Sequence, residues 1–175
     1  MGSNQIKETI PLIGISSCLT GAVVRYDGSH ELNSFIINSL RDRAELVCVC
    51  PETQCGMPVP REPMDLFETP YGVRLLTVNT FRNLTHMLSS WCIAKADELA
   101  SAGVSGFILK SGSPSCGIGS ARLHSDGNLH RNGMGFFAEA LLNRCPGMPV
   151  VQEDKLLKKD NIEQFLDRVR SYNGG

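Results

Sequence analysis

The 175-residue chain has no extended run of Lys or Arg, and 17 basic residues against 18 acidic ones leave a net charge of −1. Nothing in that balance recruits nucleic acid through its phosphates, so bulk nucleic-acid binding is not expected and a small or neutral partner is. No apolar stretch approaches the ~18 residues of a membrane span, and MGSNQIKETI has no basic segment followed by an apolar core. The expected location is the cytoplasm. There is no CxxC pair, no HxE…PCxxC deaminase pattern, no internal repeat and no linker-like segment. These absences remove the metal motifs legible from spacing alone.

What is present fits one globular domain. Apolar residues make up 42% and charged residues 20% of the chain, ordinary values for a folded core. Residues 1–10 read as an N-terminal extension, with Met1-Gly2-Ser3 a candidate expression-tag remnant, and 11–175 as one α/β domain closed by a C-terminal helix. Seven cysteines, an odd number without an export signal, argue for metal, redox or catalytic use of some rather than for a disulfide framework.

The elements alternate in type. Residues 11–17 (PLIGISS), 45–49 (ELVCV), 106–109 (GFIL) and 149–152 read as strands; 32–43, 83–102, 133–143 and 161–171 read as helices. Residues 73–78 suggest an accessory strand after a Pro-rich loop over 51–63, and 124–128 (HSDGN) a hairpin or extended excursion. Strands separated by helices imply right-handed βαβ crossovers. The expectation is a Rossmann-like, three-layer α/β fold: a mostly parallel sheet with helices on both faces.

In such sheets ligands bind beyond the carboxyl ends of the strands. Cys18 follows the first strand, Cys50 the second, and Cys116 ends the loop KSGSPSCG behind GFIL. Three cysteines therefore converge on one rim, where a metal could join them. Cys48, within a strand, and Cys92, in the apolar stripe of a helix, read as small buried hydrophobes, and Cys145 as structural. Glu52 lies two residues beyond Cys50, behind a proline, and could serve as acid, base or substrate acceptor, or be a solvated loop carboxylate. Ser113 and Ser115 bracket Pro114 and could hydrogen-bond a ligand or close a turn. Residues 25–28 (RYDG) read first as a turn, and none of the four histidines is assigned as a ligand.

Taken together, Cys18-Leu-Thr-Gly with Val24-Arg-Tyr-Asp-Gly28, Cys50-Pro-Glu52 with Gly56-Met-Pro58 and Pro60-Arg61, and Lys110 with Ser113-Pro-Ser-Cys-Gly117 resemble the thiouracil desulfidase family, long catalogued as a domain of unknown function. The resemblance covers about residues 11–152. It implies a [4Fe-4S] cluster held by Cys18, Cys50 and Cys116, with one iron free of protein ligands to take the thiocarbonyl sulfur of 2-thiouracil. The implied reaction is non-redox and yields uracil and hydrosulfide, with Glu52 and Ser113 as the substrate-binding and proton-handling residues.

One departure stands out. Cys55 occupies a position that is usually glycine in the family; as a fourth thiolate it would close the open iron. Two other readings therefore stand beside the desulfidase: a three-cysteine zinc hydrolase or deaminase with Glu52 as general base, and a non-enzymatic iron–sulfur protein ligated by Cys55.

Overall fold

A computed structural model describes residues 10–172; of the extension expected over residues 1–10, all but Ile10 lies outside the described residues. The chain forms, in order, β1 (Leu12–Ser16), α1 (Ser34–Leu40), β2 (Glu45–Val49), α2 (Pro51–Gln54), β3 (Met64–Thr69) and β4 (Gly72–Thr77). These are followed by α3 (Thr85–Ser101), β5 (Gly106–Leu109), β6 (Ala121–Ser125), β7 (Asn128–Gly133), α4 (Phe136–Arg144), β8 (Val150–Gln152) and α5 (Lys159–Ser171). No described helix is long and apolar enough to cross a membrane.

The central sheet has the order β2-β1-β5-β8 and is parallel throughout. Its inner strands, β1 and β5, are buried on both faces, which is why they read as continuous apolar runs. Ile13, Ile15 and Ile108 share one face with Ile36 and Leu40 of α1 and Ile162, Phe165, Leu166 and Val169 of α5. Phe107 and Leu109 share the other with Leu88, Cys92 and Leu99 of α3 and Phe137 and Leu141 of α4. Helices thus cover both faces, giving the expected three layers.

Gly14 shows how tightly the layers meet. It pairs with Phe107 across β1 and β5, and a Cβ at Gly14 would sit 2.1 Å from the Phe107 ring. Both residues are sheet-internal, so neither can move aside. Gly14→Ala is expected to destabilise the fold by roughly 1–3 kcal/mol through overpacking; urea denaturation with an unchanged m-value would show it.

A second sheet, of order β4-β3-β6-β7, is the part the sequence pattern did not announce. The accessory strand expected over 73–78 is β4, and it pairs antiparallel with β3, which lay unread behind the Pro-rich segment. The expected hairpin over 124–128 joins β6 to β7. Asp126 and Gly127, with φ of 50° and 74°, form its left-handed two-residue turn. One boundary requires correction: Gly133, expected to open a helix, ends β7, where a Cβ would come within 3.0 Å of the Ala121 carbonyl oxygen. The helix begins only after Gly135.

Candidate functional site

Because β2, β1 and β5 are adjacent and parallel, their carboxyl ends open on one rim. A 3-10 turn, Ser17–Thr20, follows β1 and carries Cys18; Gly21 closes it with φ 92° and donates its N–H to the Cys18 carbonyl. Cys50 caps α2, with Pro51 in the first helical position, where a missing N–H costs nothing. The loop after β5 presents Cys116. Its shape comes from Ser113, whose hydroxyl oxygen accepts the N–H groups of Ser115 at 3.1 Å and Cys116 at 3.2 Å.

This loop is pinned from behind. The Ser115 carbonyl accepts the N–H groups of Phe137 and Ala138 at the start of α4, at 2.8 and 3.2 Å. Gly135 permits the approach, since a Cβ there would fall 2.5 Å from the Ser115 carbonyl. At its other end, Ser111 donates its N–H and hydroxyl to Glu153, which Lys110 also meets at 2.6 Å. The loop is thus a rigid arm anchored on α4 and on the segment after β8.

Cys18, Cys50 and Cys116 line one cavity of about 560 Å³, together with Glu52, Arg61, Ser113, Lys110, Asp65 and Arg122. The expected convergence is observed. Burial pushes the Cys18 thiol up to about 12, and the charge of a nearby Cys50 thiolate would add to it; Lys110 and Arg25 oppose the shift. Burial holds the Cys116 thiol well above the usual range, partly offset by a hydrogen bond with Ser16. A cation bound by these sulfurs as thiolates displaces their protons.

Glu52 is neither solvated nor free. Its side chain is 12% exposed, one carboxylate oxygen accepts the Ser115 hydroxyl at 2.8 Å, and the other is paired with the Arg61 guanidinium. Arg61 is itself 7% exposed and donates to the Val24 carbonyl at 3.1 Å, tying α2 to the turn over residues 25–28. Its Nε is buried without a hydrogen-bond partner. Ser113 faces the cavity while its oxygen holds the loop. Its proton remains available to a ligand.

Arg61 and Ser115 are the residues whose roles the sequence left open. Arg61 stood in a motif without a role, nine residues from its carboxylate partner. The Asp65–Arg122 pair on the far wall gave no signal, because β3 was not foreseen.

A model of the 2-thiouracil desulfurase family matches residues 13–153. The chain belongs to that family. It is also 31% identical over 153 residues to a Bacillus subtilis (strain 168) protein named uncharacterized protein YbbK, spanning 83% of this chain and 97% of the relative. Among solved structures it resembles the [4Fe-4S]-dependent thiouracil desulfidase TudS with a TM-score of 0.68 and 28% identity, over 88% of this chain and 98% of that one.

Within this desulfurase fold the other cysteines fall away from the cavity. Cys92 and Cys145 are buried in the apolar cluster over α3 and α4, as expected. Cys48 is a correction: it is exposed on β2, because that strand lies at the edge of the sheet with no neighbour beyond it. Cys55, the departure from the family pattern, ends α2 with its thiol donating to the Glu52 carbonyl at 3.2 Å. It packs against the larger apolar cluster and does not line the cavity.

Proposed function

We propose that this protein removes sulfur from thiouracil-type bases, giving uracil and hydrosulfide, with a [4Fe-4S] cluster held by Cys18, Cys50 and Cys116. The observation that carries the reading is the set of three unbridged thiols on adjacent strand ends, facing one cavity beside the half-buried Glu52 carboxylate. The donors fit the group. They are soft sulfurs, suited to iron–sulfur ligation, and the cavity has room for both a cluster and a heterocycle. Among the described residues no three His, Cys, Asp or Glu side chains gather closely enough for a single metal ion.

When bound, such a cluster supplies an iron without a protein ligand, a Lewis acid for a soft thiocarbonyl sulfur. The protein supplies the rest. The net change replaces C=S with C=O: water provides the oxygen, hydrosulfide carries off the sulfur, and no electrons are exchanged with an outside donor. Glu52, held by Ser115 and Arg61 at the cavity wall, positions the water or takes its proton. Ser113 offers its hydroxyl proton to the heterocycle, and its fixed place in the loop sets the ring relative to Cys116.

The test is anaerobic reconstitution with iron and sulfide, followed by incubation with 2-thiouracil. Uracil and hydrosulfide should appear in equal amounts. A reconstituted protein that holds its cluster and releases neither would overturn the reading.

Cys55 allows a narrower check. With its thiol turned to the Glu52 carbonyl, Cys55→Ala is expected to keep the cluster, its visible spectrum and its desulfidase rate within about twofold. If Cys55 were a structural fourth ligand, the variant's cluster would be labile and the parent protein inactive. Iron analysis and the turnover assay on the same sample separate these outcomes.

A further inference from the structure

The second sheet turns one face to the apolar core, through Met64, Leu66 and Leu75, and the other outward. Residues directly opposite one another across strands share a face. Phe67 is opposite Arg74 on β4 and His124 on β6, and Arg122 is opposite Arg131 on β7. The Phe67 and His124 rings are stacked, with centroids 4.3 Å apart and planes within 6°. Phe81 stands edge-on to Phe67 at 5.9 Å and is 61% exposed. Phe67 belongs to neither apolar cluster.

The charge on this face is one-sided. Arg122 and Arg131 directly oppose each other, an arrangement that destabilises a sheet unless an anion intervenes. Asp65 neutralises only part of it, being shared between the Arg122 guanidinium at 3.0 Å and His124 Nε2 at 2.8 Å. Arg74 and Arg131 make no ion pair among the described residues; the nearby carboxylates of Glu68 and Glu62 keep their charge but are held by the Ser125 hydroxyl and by the N–H groups of Asn79 and Thr80 rather than by these arginines. A net charge of −1 over the whole chain conceals this local excess. Asp65 and Arg122 also line the cavity that holds the three thiols and Glu52, so the face runs into the site.

We propose that the outer face of the second sheet is a docking platform for single-stranded RNA, which delivers one of its bases to the cavity. Arginines spaced along a sheet with exposed rings between them provide phosphate contacts and stacking surfaces together. Unpaired bases can stack on such rings, whereas a duplex keeps its bases inside. The proposal rests on the desulfidase reading only for what happens to the base in the cavity. The docking itself is independent of it.

The experiment is fluorescence anisotropy of the reconstituted protein with a labelled twelve-nucleotide uridine-rich RNA between 50 and 200 mM salt. With Arg74, Arg122 and Arg131 each neutralising a phosphate, log K should fall against log salt with a slope of about −2. Replacing Arg74 and Arg131 together with glutamine should bring the slope to about −0.7, and Phe81→Ala should weaken binding roughly five- to a hundredfold. All three positions lie outside the catalytic machinery, so turnover of free thiouracil should be unchanged.

No binding at 50 mM salt, equal binding of a duplex of the same sequence, displacement by an equal concentration of uridine monophosphate, or an unchanged slope in the double variant would each overturn the platform. Its failure is distinguishable from that of the desulfidase reading. Thiouracil turnover without RNA binding removes the platform alone, and RNA binding without turnover removes the desulfidase alone.

Discussion

Cys18→Ala, Cys50→Ala and Cys116→Ala should each lose the cluster and with it all measurable desulfidase activity, while the chain stays folded. Each change removes a single sulfur from a cavity wall, and at Cys116 also the hydrogen bond with Ser16. For Cys116 the loop is held by the Ser113 hydroxyl and by the α4 N–H groups on the Ser115 carbonyl, none of which involves the thiol. A cluster with two of its three anchors exposes more iron to solvent and to chelation. About four irons per chain in the parent should fall toward zero. Iron and acid-labile sulfide analysis under anaerobic conditions measures this. Cys92→Ala and Cys145→Ala serve as controls, since their thiols are buried among apolar side chains and affect packing alone. A full complement of iron in Cys116→Ala would remove that residue from the ligand set.

The first sheet was legible because its strands are short apolar runs separated by amphipathic helices, and because a parallel sheet sends every strand end to one rim. That rule alone brought Cys18, Cys50 and Cys116 together across almost a hundred residues. The second sheet was harder for a physical reason. β3 begins immediately after a proline-rich loop, and Phe67 and Glu68 reverse the alternation that Met64, Asp65 and Leu66 begin, so it lacks a clean pattern of apolar and polar residues. β7 is polar and exposed along most of its length, and only the Asp126-Gly127 turn betrayed it.

The same limit applied to the site. Glu52 could be picked out beside Cys50, but whether it was solvated or buried depended on Arg61 and Ser115, which reach it from other segments. Ser113 was visible as a loop residue facing a ligand. Its second task, holding the loop by two backbone N–H groups, emerges only when the turn is built. Cys48 was misread because burial within a strand depends on whether the strand has two neighbours or one, and edge position is a property of topology.

Glu52→Gln should keep the cluster but lower turnover by roughly 10²–10⁴-fold, the range expected when a proton-transfer group is removed. The amide has the size of the carboxylate and its oxygen can still accept the Ser115 hydroxyl, so the segment behind Cys50 should keep its course. What it cannot do is take a proton, or neutralise Arg61. The second loss matters for interpretation. A buried guanidinium deprived of its partner can cost ~3–5 kcal/mol of stability, and a partly unfolded sample would also look inactive. Urea denaturation therefore accompanies the rate measurement, with Arg61→Lys as a companion variant that retains the positive charge but loses the planar fork that grips both Glu52 and the Val24 carbonyl. If Glu52 handles the proton and Arg61 only positions it, Arg61→Lys should lose far less turnover than Glu52→Gln at comparable stability. Equal losses in the two variants would assign the effect to the ion pair as a structural brace, and undiminished turnover in Glu52→Gln would remove the carboxylate from the chemistry altogether.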